Sequence, residues 1–384
     1  MGHRDVASSR LRVYAFLNIL DPKPDTHAKW IMPDWLARRS ATLTTKPARS
    51  LRRRVLRRLA ATFVHSVAFG RRVWCYLWLA LTTSQGDVVL LQKVLLPPFL
   101  VRFVSNRCAR LVFDFDDAIQ ELSSSHDRRL RAMIRASDCT VTSVATGAAF
   151  AAREGAQVVT ILTPVDTSRL APLESSRPPG SARVGWIGSP SSTPYLQDIA
   201  AALTQLSRSR SLVFILIGAA HFNEAMPGSV FLPWSQEVEE RVLPTLDIGL
   251  MPLRAGSWEA GKGGYKALQY LACGIPTVAS DVPAGRLVVV PEVTGVLVPE
   301  GGSWAEALGR LLDDNPLRSR MRLEARRRAL KDFSLAGALP SWQAAVFGVS
   351  GSATEPPQPP SEYYAQAGLR AQASSASPCP HASR

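Results

Sequence analysis

Short apolar runs rich in β-branched residues alternate along this chain with amphipathic stretches of about ten residues, and no other feature limits its fold so strongly. In the first half, Asp87–Gln92, Ala109–Phe115, Cys139–Ser143 and Val158–Leu162 read as strands, with helical patterns at Pro98–Arg107, Arg128–Ala136 and Ala145–Glu154 between them. The rhythm restarts with strands at Arg183–Ile187, Leu212–Gly218, Ser229–Leu232, Ile248–Pro252 and Pro276–Ser280. Its helices fall at Tyr195–Ser207, Gln236–Leu243, Ser303–Leu312 and Pro316–Leu330. Strands joined through helices pair in parallel and are covered on both faces. Between the halves, Leu173–Ala182 has the Pro, Ser and Gly content of a linker. From Gly348 onward Ser, Pro, Ala and Gln follow without periodicity, which predicts disorder. The expected fold class is therefore α/β with two Rossmann-like domains, residues 1–172 and 183–347, a linker over 173–182 and a disordered tail over 348–384. A chain of 384 residues has length enough for two separate cores.

Charge narrows the partner. The net charge of +14 points to an anion: a phosphate, a membrane surface or a nucleic acid. Arginines cluster at Arg49, Arg52, Arg53, Arg54, Arg57 and Arg58, and again at Arg318, Arg320, Arg322, Arg326, Arg327 and Arg328. Neither cluster is interleaved with aromatics or fits a DNA-reading module, which argues against nucleic acid. The five cysteines and six histidines are scattered without metal spacing, so no metal site is legible and a reduced, cytoplasmic compartment is the expectation. Met1–Arg10 lacks the apolar core of a signal peptide, and the apolar runs Leu59–Phe69 and Val73–Leu81 fall short of the ~20 residues of a membrane span. The stretch Arg49–Leu81 is basic, then apolar and Trp-rich. That composition suits a helix lying on a membrane surface, and equally a pair of core helices with solvated arginines.

Three segments carry candidate chemistry. Gly261-Lys262-Gly263-Gly264-Tyr265-Lys266 opens onto an amphipathic helix whose buried stripe includes Leu268, Leu271 and Ala272. Lysines at a helix N-terminus oppose its dipole, and Lys262 and Lys266, four apart, repel each other; a bound phosphate or diphosphate reverses both penalties. The bland alternative is two solvated lysines on a flexible turn. Gly188-Ser189-Pro190-Ser191-Ser192 leaves a strand and enters a helix, suiting either an anion cradle or a plain cap by Ser191, Ser192 or Thr193. Asp114, Asp116 and Asp117 crowd a strand end, where they could bind a metal as a D-x-D pair, act in acid/base chemistry, grip sugar hydroxyls, or cap a helix. These segments, with Gly218–Ala220 and His221, all follow strand C-termini, where open parallel sheets bind ligands.

In chain order, DVVLLQK (Asp87–Lys93), LVFDFDDAI (Leu111–Ile119), VDTSRL (Val165–Leu170), VGWIGSPSSTPYL (Val184–Leu196), LDIGLMPL (Leu246–Leu253), GKGGYKALQYLACGIPTVASDV (Gly261–Val282) and GVLVPEG (Gly295–Gly301) resemble a bacterial branch of the family 4 glycosyltransferases. That family has the GT-B fold of two facing Rossmann-like domains. The resemblance implies sugar transfer from a nucleotide-sugar donor to an acceptor hydroxyl, with retention, without an essential metal and with no cofactor besides the donor. It places Gly188, Ser189, Ser191 and Ser192 against the donor diphosphate, with Gly263 and Gly264 in the loop that carries Lys262 and Lys266. Those lysines would neutralise the leaving group. Phe231–Ser235, with Trp234, would border the base, and Asp116 and Asp117 fall at the acceptor side. Two glutamates usual in the family correspond here to Gly261 and Gln269; Gln269 can still bond a ribose, and Glu259 is the nearest substitute carboxylate. Relatives also place a strand and a glycine-rich loop ahead of the point matched by Ala7–Tyr14, so an N-terminal domain without its first strand is expected. The role implied is polysaccharide or envelope-glycan synthesis on a sugar or lipid-linked acceptor, at the inner membrane face through Arg49–Leu81. A catalytically degenerate sugar-nucleotide-binding or partner protein is the competing reading.

Overall fold

A computed structural model of the chain describes residues 9–21, 25, 27, 51–117, 119, 124–173, 180–219 and 228–348. Most of the expected linker, the tail beyond Gly348, and Ala220 with His221 lie outside the described residues. The described chain opens with a π-helical turn (Arg10–Tyr14) running into α1 (Ala15–Ile19), followed by α2 (Leu51–Thr82). The first sheet alternates β1 (Val88–Gln92), α3 (Pro98–Ser105), β2 (Arg110–Phe115), α4 (Ser124–Ala136), β3 (Cys139–Thr142), α5 (Ala145–Arg153) and β4 (Val158–Thr160). Its strands are all parallel, in the order β1-β2-β3-β4. Leu111, Val112 and Phe113 of β2 are wholly enclosed, which is why this strand reads as a continuous apolar run rather than an alternating one. The described residues ahead of β1 form helix rather than strand, and Phe16 and Leu20 fill a core with Val112, Val141 and Ile161.

The second lobe follows the same logic with β5 (Ala182–Ile187), α6 (Thr193–Gln197), α7 (Ala200–Ser209), β6 (Leu212–Ile217), β7 (Ser229–Leu232), α8 (Gln236–Val242), β8 (Ile248–Met251), α9 (Ser257–Ala260), α10 (Tyr265–Ala272), β9 (Thr277–Ser280), α11 (Pro283–Val288), β10 (Gly295–Val298), α12 (Trp304–Asp313) and α13 (Asn315–Asp332). Its order, β10-β9-β8-β5-β6-β7, reverses direction between β8 and β5, and every pair is parallel. A reversal of this kind leaves a crevice beyond the strand C-termini. Tyr270 braces that point: its hydroxyl donates to Leu250 O and accepts from the Ile187 N–H, both at 3.1 Å, tying together the ends of β8 and β5.

Two sequence expectations are corrected. The apolar stretch ending at Leu81 is one helix of 32 residues, not a pair of core helices. Gly70 sits in open space within it, where a glycine costs about 1 kcal/mol of helix propensity without breaking the turn. The second departure concerns residues 335–347, grouped by sequence with the second domain. They form α14 (Leu335–Phe347), which returns to the first lobe. Trp342 stacks on Phe16 with ring centroids 4.9 Å apart and donates to Arg12 O, while Ala345 and Val346 join the core behind β2 and β3. The chain thus crosses between lobes twice, and the crossings are clipped together. Val165 N–H donates to Phe333 O and Leu335 N–H donates to Val165 O, each at 2.9 Å. Among the described residues, no helix is long and apolar enough to cross a membrane.

Candidate active site

The loop leaving β5 starts the site. Gly188 N–H bonds Ile217 O at 3.0 Å, holding the loop against the end of β6, and Pro190–Ser192 forms a 3-10 turn. Ser192 does not cap α6 with its side chain, so the plain-cap reading fails for that serine, and Ser189 ahead of the 3-10 turn makes no side-chain cap either. Their hydroxyls instead form an exposed cluster, with Ser189 Oγ 2.8 Å from Ser191 Oγ. Such hydroxyls can turn their hydrogens toward an incoming acceptor atom.

Across the crevice, Gly264 caps α10 with φ of +67°, a conformation that costs any residue with a Cβ. The turn delivers Lys262 and Lys266 to the same wall. Lys266 Nζ lies 4.8 Å from the centroid of Trp186, and Lys262 Nζ 5.3 Å from that of Trp258. Burial, with repulsion from Lys262 added, pushes the Lys266 ammonium down to about 7. The free protein thus holds one lysine close to losing its proton. Gln269, one turn further along, is buried at the crevice floor.

The first lobe supplies the acids. Asp116 and Asp117 both pair with Lys93, at 2.6 and 2.7 Å. Burial acts to lower the Lys93 ammonium, but the two carboxylates hold it above its ordinary value. Lys93 and Asp117 both have positive φ, +53° and +62°, each a strain of about 1 kcal/mol for an L-residue, stored where the two strand ends meet. Asp114 has another role. It is buried beneath the pair, where Arg12 donates to it through Nε at 2.9 Å and Nη2 at 2.7 Å. With Asp114 committed to Arg12, no D-x-D pair is open to a metal. A lysine is the counter-cation that the acid pair meets.

The serine loop, the two lysines of the second lobe, Gln269 and the acid pair face one cavity of about 1200 Å³ between the lobes, whereas Arg12, Lys93 and Asp114 lie behind its wall. Of the residues singled out by sequence, Asp116, Asp117, Gly188, Ser189, Ser191, Ser192, Trp234, Lys262, Gly263, Gly264, Lys266 and Gln269 line it. Glu259 and Gly261 do not. The Glu259 carboxylate accepts a hydrogen bond from Tyr195, whose hydroxyl is pushed up to about 12 by burial and by that contact. Three further groups had no signal in their local sequence. Lys93 closes the DVVLLQK motif but stands apart from any cluster. Arg10 stacks its guanidinium 4.5 Å over Trp234 from the opposite lobe. Glu239 is buried and accepts from Trp234 Nε1 at 2.9 Å, fixing the indole.

Residues 182–314 match the family model for glycosyl transferases, group 1. Among curated proteins, the D-inositol 3-phosphate glycosyltransferase of Xylanimonas cellulosilytica is 43% identical over 65 residues, a match spanning 16% of this chain and 16% of that one. Anabaena HepE, solved in complex with UDP, shares 14% identity at a TM-score of 0.57, over 71% of this chain and 82% of its own. A glycosyltransferase from Rickettsia africae gives 14% and 0.55, over 72% and 81%. At these identities the structural likeness is one of fold: two facing Rossmann-like lobes in the GT-B arrangement.

Proposed function

We propose that this protein is a glycosyltransferase that moves a sugar from a nucleotide-sugar donor to an acceptor hydroxyl, with retention at the anomeric carbon and without a metal ion. The observation that carries this reading is a single cleft that brings Lys262 and Lys266 from one lobe opposite Asp116 and Asp117 from the other. As the bond from the anomeric carbon to the diphosphate breaks, negative charge grows on the leaving phosphate. Lys262, joined by Lys266 once the bound diphosphate restores its proton, stabilises that charge more than it stabilises the bound donor. The Gly188–Ser192 loop supplies hydroxyl and backbone donors to the same group, and Trp234, steadied by Glu239, offers a face to the base. Asp116 and Asp117, paired with Lys93, accept a hydrogen bond from the acceptor hydroxyl. Because HepE is solved with UDP, uridine nucleotides are the first donors to test.

The acceptor is read as a glycan intermediate of polysaccharide or envelope synthesis, reached at a membrane surface through α2. Phe69, Trp74, Leu77 and Leu81 on that helix are exposed, which suits shallow insertion between lipid headgroups. Substituting Trp74 and Leu77 by Ser should release the protein from anionic vesicles in a sedimentation assay; unchanged binding would remove α2 from this role. The degenerate-binder reading draws on one observation, the absence of a carboxylate at Gly261 and Gln269, with Glu259 tied to Tyr195. A thermal-shift screen of nucleoside diphosphates, followed by turnover of the matching sugar nucleotide, separates the two. Transferase or hydrolase activity that Lys262→Ala abolishes supports catalysis. Stabilisation without turnover across a panel of acceptors supports the degenerate binder, and activity untouched by Lys262→Ala removes that lysine from the mechanism.

A further inference from the structure

A second cavity, of about 280 Å³, opens on the first lobe beside the acid pair. Arg72 and Tyr76 of α2, Lys93 of the turn after β1, and His126 and Arg129 of α4 form its polar wall, and among the described residues no carboxylate lines it. Among the described residues no acidic group pairs with Arg72 or Arg129, and both are exposed at the cavity mouth. Both guanidiniums act on the same Tyr76 hydroxyl: burial pushes it up, and the two arginines pull it back. Lys93 is already balanced by Asp116 and Asp117, so the repulsion that a bound anion would reverse is that between the Arg72 and Arg129 guanidiniums held around one small concavity. Planar guanidinium forks beside a phenol hydroxyl match the tetrahedral oxygens of a phosphate group.

Lys93 joins this cavity to the chemistry, because its ammonium also holds Asp116 and Asp117. A phosphate in the cavity and a hydroxyl on the acid pair would lie on either side of one lysine. Successive residues of α2 turn by about 100°, so Phe69, Val73 and Leu77 continue around the helix from Arg72 and Tyr76, and all three are exposed. An apolar chain attached to the phosphate would find a surface there.

We propose that the cavity bounded by Arg72, Tyr76, Lys93, His126 and Arg129 binds a phosphate group of the acceptor, so that the acceptor is a phosphate ester presenting a hydroxyl to Asp116 and Asp117. This rests on the glycosyl-transfer reading above. The test titrates the full chain with inorganic phosphate and with decyl phosphate, each with and without saturating UDP, and repeats both in Arg72→Gln/Arg129→Gln. The expected result is phosphate binding that persists in UDP and weakens about tenfold or more in the double variant, with UDP affinity unchanged. Much tighter binding of decyl phosphate assigns a lipid-borne ester, and equal binding assigns a soluble one. Binding that UDP displaces, that the substitutions leave unchanged, or that is absent with both probes overturns the proposal. Wild-type protein that binds phosphate through these arginines but binds none of the nucleoside diphosphates of the thermal-shift screen keeps the site and sinks the glycosyl-transfer reading instead. Both arginines are exposed, so the double variant should keep the wild-type melting temperature; Arg72→Gln alone serves if it does not.

Discussion

If Lys266 meets the donor diphosphate as proposed, it couples proton binding to nucleotide binding. Its ammonium is pushed down to about 7 in the free protein, whereas the unfolded chain keeps the ordinary lysine value near 10.4. The unfolded state therefore holds the extra proton through this interval, and the penalty this group imposes on folding is full below about pH 7 and fades as pH rises toward the unfolded value. Lys266→Met should accordingly raise the melting temperature at neutral pH and leave it unchanged near pH 10.5, while abolishing stabilisation by nucleoside diphosphates. A diphosphate beside Lys266 favours the charged form, so binding takes up a proton above pH 7. Nucleotide affinity should fall steadily from pH 7.5 to 9.5. Calorimetry in buffers of different ionisation enthalpy should show uptake of a fraction of a proton rising toward about one. Affinity that is flat across this range would mean that Lys266 does not meet the diphosphate.

Single elements explain what the sequence could and could not disclose. The loop into α10 was legible because an anion cradle writes itself locally: glycine where φ is positive, lysine where the dipole disfavours it. Gly264→Ala tests that logic. A Cβ there would lie 2.7 Å from Ala284 O at a φ of +67°, costing about 1–2 kcal/mol. Nucleotide affinity should fall about tenfold or more in a thermal-shift titration. The groups of the first lobe were harder to see, since Lys93 and Arg10 gain meaning only once distant strands and the opposite lobe meet them. Asp114 looked like part of a metal pair until its partner Arg12 arrived from far upstream. Helix α14 escaped for a different reason. Leu335, Trp342, Ala345 and Val346 are buried among more apolar residues around nearly the whole circumference, so no stripe emerges, and Pro340 within it is a breaker by composition.

At the scale of the whole molecule, stability of the first lobe depends on a helix contributed from the far end of the fold. Trp342 is almost wholly enclosed between Phe16 and Phe347. Trp342→Ala should cost about 3–5 kcal/mol, read as a lower urea midpoint, and the loss should fall on the lobe carrying Asp116 rather than on the one carrying Lys266. If α14 were only an appendage of the second lobe, the lobe carrying Lys266 would melt first instead.

The paired crossings at Val165 and Leu335 act as a pin through a door. Jaws joined at clipped crossings have a natural place to hinge, and Arg10 reaching over Trp234 marks the edge where they meet. On the proposed function, the donor would enter and the spent nucleotide leave past that same edge. A cross-link across that outer edge would halt both, while a cut in either crossing would let the jaws slip sideways and lose the register between lysines and acids.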